Sequence, residues 1–226
     1  MTALARMRLT GFVRGGRALA PLIAVMVVLG VIYGGGASPA AVAYGYSAAA
    51  LFPVLAWLTK LLLDTEPDAQ RRLARLAVGP AREAAAGVLA AIAMSLGVCV
   101  AALIAPWPFH AIDTTKPLVS GILLGIMAHL LAVPAAVALG ALASRAVTGS
   151  VRLGVTVLVV SAVLVVVLGL TGSWAPFLVP PVMATARALN GDRIPAAGTL
   201  LLLAGWAAAW CAVAFAGYGW LRRARS

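Results

Sequence analysis

The sequence predicts an all-α integral membrane protein with six transmembrane helices, and three observations predict it. Of 226 residues, 63% are hydrophobic and only 10% are charged, with a mean hydropathy of +1.05. A soluble domain carries about 25% charged residues, so this chain has too few to clothe a water-facing surface. Its uncharged intervals are also long. Residues 18–59 hold no Asp, Glu, Lys or Arg over 42 positions, and one crossing of the hydrocarbon takes about 20 apolar residues. Finally, Lys and Arg collect at alternate ends of these intervals, as they do in multi-pass proteins.

The spans follow in order. Residues 1–17 mix Leu4, Met7, Leu9, Phe12 and Val13 with Arg6, Arg8, Arg14 and Arg17. Two readings stand for them: an amphipathic leader lying in the membrane plane, or a frayed segment that only sets topology. The basic stretch is long and no convincing cleavage site follows, which argues against a removed signal peptide. Gly34-Gly35-Gly36-Ala37-Ser38-Pro39 divides the first long interval, since Gly and Pro clusters break helices. The first two spans are therefore 18–36 and 41–63, with Lys60 placed to snorkel toward the headgroups. Spans at 84–105, 117–144 and 153–171 come next, the third closed by Pro106-Trp107-Pro108-Phe109. Residues 174–195 are apolar but punctuated by Pro176, Pro180 and Pro181. Such a stretch suits short re-entrant or interfacial helices shielded by protein. The last span is 196–220. The whole chain reads as one transmembrane domain.

Counting Lys and Arg orients these spans. Arg6, Arg8, Arg14, Arg17, Lys60, Arg71, Arg72, Arg75, Arg82, Arg145, Arg152, Arg222, Arg223 and Arg225 fall on one side, fourteen in all. Lys116, Arg187 and Arg193 fall on the other. The rich side is expected to be cytoplasmic, together with both termini. The net charge of +11 then reflects topology and attraction to anionic lipid, and nucleic acid is not needed as a partner.

One compact polar segment interrupts the apolar sequence, Asp64 to Glu83. It holds four of the six acidic residues, Asp64, Glu66, Asp68 and Glu83, together with Arg71, Arg72, Arg75 and Arg82. Thr65-x-x-Asp68 has the form of a helix cap. Ala69 to Val78 then reads as a short amphipathic helix with Leu73, Leu76 and Ala77 on one side, stopped by Gly79-Pro80. A plain connector needs only a few residues. This one spends about twenty, so it reads either as a docking element or as a solvated linker whose charges set topology.

Other chemistry is sparse. There is no G-x-x-x-x-G-K-[ST] loop, so this chain does not itself bind ATP in the P-loop manner. His110 and His129 are the only histidines; with no intramembrane carboxylate they do not make a metal site, and no cofactor is expected in this chain. Cys99 and Cys211 lie in apolar runs and read as small buried hydrophobes. His129 alone lies at depth, where it either hydrogen-bonds between helices or lines a substrate path. The lack of Asp or Glu inside the expected spans counts against a proton-coupled carrier.

The order of features resembles the membrane subunits of ABC-2 type transporters. The resemblance rests on Glu66 and Asp68 after the second span, then Arg71-Arg72-Leu73, Leu76 and Pro80-x-Arg82 before the third. Pro181 to Arg187, with Ala184 and Gly191, is similar to the run that precedes the family's sixth span. The resemblance implies that 1–17 is an amphipathic connecting helix and 64–83 a cytoplasmic coupling helix. It also implies that 174–195 is a re-entrant segment. Glu66, Asp68, Arg71, Arg72, Leu73, Arg75, Leu76, Pro80 and Arg82 would then engage the ATPase, while Trp174, Pro176, Pro180, Pro181 and Arg187 close the outer end. Implied partners are two separately encoded cytoplasmic ABC ATPase subunits, which carry the ATP and Mg, and a second copy or close relative of this permease. The implied setting is the bacterial plasma membrane, and the implied activity is export of a hydrophobic or amphipathic substrate, with His129 as a possible pathway residue. The competing reading is a non-transporting polytopic scaffold that binds some other cytoplasmic protein through 64–83.

Overall fold

The computed structural model describes residues 1–191 and 194–224, so Asp192, Arg193, Arg225 and Ser226, which include two of the counted arginines, lie outside the described residues. Ten α-helices follow one another among the described residues: α1 Thr2–Arg14, α2 Leu19–Tyr33, α3 Ala40–Leu63, α4 Asp68–Val78, α5 Pro80–Ile104, α6 Leu118–Leu142, α7 Arg145–Thr148, α8 Val151–Leu168, α9 Val182–Leu189 and α10 Ala197–Ala224. A 3-10 turn at Pro176–Leu178 precedes α9. Among the described residues there are no strands, only a lone bridge between Ser38 and Ile112 that ties two loops together.

Five helices, α3, α5, α6, α8 and α10, are long and apolar enough to cross a membrane. A sixth crossing needs α1 and α2 taken together, and these meet at a 77° bend. The expected first span, 18–36, is thus shorter than read: α2 has 15 residues, a rise of about 22 Å. Gly15-Gly16 opens the bend and the glycines at 34–36 close the helix. The expected third span starts early. Gly79 adopts φ +86°, a conformation glycine takes without steric cost, and Pro80 opens α5 at once. Pro80 therefore begins a helix as well as following one, and Glu83 falls in its first turn.

The centre of the bundle is α3, which packs against α2, α5, α6, α8 and α9. Its tightest neighbour is α6, running parallel to it with small residues in the seam. A Cβ at Gly125 would fall 2.5 Å from that of Tyr44, and one at Gly140 would fall 2.3 Å from the Ala56 carbonyl oxygen. Only glycine lets the backbones approach this closely, the device that replaces hydrophobic driving force between helices in lipid. The expected small-residue run Gly121, Gly125, Ala128 and Ala132 lies along this seam, where Gly121 meets Ala40. By contrast α2, α8 and α10 show most of their apolar surface outward.

Candidate functional site

The chain's charged groups gather at one end of the bundle, where α1, α4, α7 and the ends of α3, α5 and α10 meet. Glu83 is the hub. It is 1% exposed, and three guanidinium groups from three helices reach it. Arg8 of α1 donates to Oε1 at 2.5 Å and to the Glu83 carbonyl at 3.0 Å. Arg222 of α10 donates to Oε2 at 2.5 Å, and Arg75 of α4 stands 3.6 Å from the same oxygen. Arg8 also grips Glu66 in a bidentate pair, Nε to Oε1 at 2.8 Å and Nη2 to Oε2 at 2.5 Å. Arg222 donates its remaining Nη1 to the Tyr218 hydroxyl at 2.9 Å. Gly87, one turn beyond Glu83, leaves room for the guanidinium: a Cβ there would lie 2.7 Å from Arg8 Nη1. Buried charges persist only when paired and hydrogen-bonded, and here two carboxylates are enclosed by three arginines.

A second cluster adjoins the first. Lys60 is buried and pairs with Asp64 at 2.7 Å, so it does not snorkel as expected; a carboxylate one helical turn away holds it inside. Asp64 also accepts from the backbone N–H of Arg145 at 2.7 Å, which closes the start of α7. Asp68 Oδ1 accepts from both Arg71, at 3.0 Å, and Arg145, at 3.2 Å. Burial lowers the pKa of Arg71; the Asp68 carboxylate opposes that shift and the neighbouring Arg145 charge adds to it.

Two details differ from the sequence reading. Thr65 does not cap α4; its hydroxyl donates back to the Leu61 carbonyl at 2.7 Å, and Pro67 occupies the cap position without a side-chain bond. Nor do the arginines of α4 face outward together. Arg71 is only 6% exposed and Arg75 is half-buried, because both turn toward the acidic groups of the bundle. Arg72, Pro80 and Arg82 are exposed. On the opposite face Leu73 is 65% and Leu76 85% exposed. The helix thus stands inverted, with Arg71 and Arg75 packed inward and its leucines presented outward.

No known family model, curated protein or solved structure matches this chain. The fold and its site therefore speak for themselves.

At the other end of the bundle, α9 buries Val182, Thr185, Ala186 and Leu189 against α3 and α6. Pro180 and Pro181 are buried at its start. Arg187 donates to the Gly169 carbonyl at the end of α8, and Trp210 Nε1 of α10 donates to the Leu178 carbonyl at 3.0 Å. Trp174 stands outside this packing with its ring exposed, and Pro176 opens the 3-10 turn. Among its described residues, the stretch read as short helices holds one α-helix and one 3-10 turn.

His129 is buried in the α3–α6 seam. Nδ1 donates to the Gly125 carbonyl at 2.8 Å, which leaves Nε2 as the acceptor, 3.4 Å from Ser47 Oγ. The first of these contacts lies within α6 and the second crosses to α3. Among the described residues no three His, Cys, Asp or Glu side chains gather where they could hold a metal ion.

Sequence reasoning missed Glu83 and its partners Arg8 and Arg222. The signal lay in Pro80, which favours the first turn of a helix and moves Glu83 from a linker into α5.

Proposed function

We propose that the chain is the permease subunit of an ATP-driven exporter of the ABC-2 type, coupled through α4 to a separate cytoplasmic ATPase. The observation that carries this reading is the inverted α4. A helix that only packed on its own protein would bury Leu73 and Leu76 and show its arginines to water. Here Leu73 and Leu76 are exposed while Arg71 is buried and Arg75 half-buried, and an outward apolar patch flanked by Arg72 and Arg82 suits a protein partner.

The ion-pair hub supports the same reading. Glu83 and Arg75 join the α4–α5 corner to α1 through Arg8 and to the last span through Arg222. A force applied to α4 is therefore handed to the first and last membrane segments together. In this proposal, ATP and Mg on two ATPase subunits close that pair and pull the docked α4 helices. The spans of two permease copies, identical or related, then shift as packed bodies and open a path between them. The arginine-rich end faces the cytoplasm of a bacterial plasma membrane, α1 is the connecting helix, and 174–195 forms the outer gate around α9. The uncharged outward-facing spans suit a hydrophobic or amphipathic substrate.

The test is co-purification from native membranes. Wild-type protein should bring down an ATPase with a P-loop, and the double variant Leu73→Asp with Leu76→Asp should lose it while staying inserted and monodisperse. Retention of the ATPase by that variant would refute α4 as the coupling helix. Capture of a partner without an ATP site would instead favour a scaffold. Reversing Arg71 or Arg75 is a poorer test, since both serve the internal network; Arg72→Glu is the clean charge probe.

A further inference from the structure

Between α4 and α7 lies an open cleft of about 560 Å³, lined by Asp68, Arg71, Arg72, Arg75, Arg145 and the backbone around Gly149. Its lining is lopsided in charge, four guanidinium groups against one carboxylate. The single Asp68 oxygen is already shared by Arg71 and Arg145. Among the described residues, Arg72 has no carboxylate partner at ion-pair distance. The donors are also incompletely used. The Nε atoms of Arg71, Arg75 and Arg145 are all buried and lack a hydrogen-bond acceptor. An unmet donor on a charged group is costly to bury; the Arg75 Nε stands 3.6 Å from Glu83 Oε2 on the bundle side, while Arg71 and Arg145 keep theirs unmet beside the cleft.

We propose that this cleft is a phosphate-binding site. Guanidinium forks match the oxygens of a phosphate group by paired N–H donors, and a tetrahedral anion can accept from several forks at once. A chloride ion cannot satisfy donors spread over two helices. The ligand class is a phosphate monoester or diester, either the headgroup of an anionic phospholipid or free phosphate. The first source is at hand because α8 starts at Val151, two residues after Gly149, so the cleft sits where the apolar spans end. A bound phosphate would join α4 to α7 and so set how firmly α4 is held. The proposal does not depend on what α4 docks against.

The experiment uses the purified full chain alone, with no ATPase, so its outcome is separate from the coupling test. In neutral detergent, thermal unfolding is followed as inorganic phosphate is titrated, against chloride at matched ionic strength. In nanodiscs, phosphatidylcholine alone is compared with an equal mixture of phosphatidylcholine and phosphatidylglycerol. A ligand that binds only the native state raises the midpoint in a saturable way. The probed variants are Arg145→Gln and Arg72→Gln, whose side chains hold no buried carboxylate. Each should weaken the apparent affinity about tenfold, the value of one charge-assisted hydrogen bond. A phosphate-specific rise lost in both variants supports free phosphate as ligand. A rise only in phosphatidylglycerol discs, again lost in the variants, supports a lipid headgroup. If neither probe exceeds its control, or if the variants respond like wild type, the proposal is overturned.

Discussion

Glu83 shows how much one buried carboxylate organises when several helices end beside it. Its two oxygens and its carbonyl take donors from α1 and α10, with Arg75 of α4 close by. Removing its charge while keeping its shape leaves Arg222 buried without its counter-ion and Arg8 with Glu66 alone, a loss of about 3–5 kcal/mol for a broken buried pair. Glu83→Gln should therefore unfold well below wild type in detergent, measured by thermal melting. A midpoint unchanged from wild type would mean that the hub is not a structural pair. None of this pairing could be read from local sequence. Glu83 and Arg222 are 139 positions apart, and Glu83 and Arg8 are 75 apart. By contrast Lys60 and Asp64 are one turn apart, and that pair was within reach of a helical reading.

At the level of elements, two helices repay direct tests. The α3–α6 seam depends on absent side chains, so Gly125→Leu must displace Tyr44, whose Cβ already lies 2.5 Å from where a new Cβ would stand. Overpacking of this kind costs about 1–3 kcal/mol, and the variant should melt lower while remaining helical by circular dichroism. The α4 leucines make the opposite case. Because Leu73 and Leu76 touch little of their own protein, replacing both with Asp should leave stability within about 0.5 kcal/mol. A large loss of stability in the purified chain would show that these residues pack inside the fold. The existence and length of α4 were legible from its periodicity and from Gly79. Which face it turns inward was not, because that was decided by Glu83, an acid of α5 that Arg75 meets only after folding.

For the whole molecule, the alternation of ends is testable without knowing the function. Ala69 of α4 and Thr114 of the α5–α6 connection are both exposed, at opposite ends of the bundle. With the buried Cys99 and Cys211 replaced by Ala, a cysteine at position 69 should react with an impermeant maleimide from one side of the membrane alone. A cysteine at 114 should react only from the other side. Labelling of both positions from one side would show that α5 does not cross.

The sequence by itself determined the helical membrane class and the positions of the long helices. It did so because lipid leaves a chain few options: each crossing needs a long uncharged run whose backbone is satisfied internally. It also marked the polar segment, since eight charged residues within twenty positions stand out in a hydrophobic chain. Only the tertiary structure decided what that segment does with its charges. All four of its acids, Asp64, Glu66, Asp68 and Glu83, are bound to cations of the chain itself. What it turns outward is a pair of leucines. Charge pairing in a buried site acts through space and over any sequence distance, so composition could reveal the island but not which side of it faces the world.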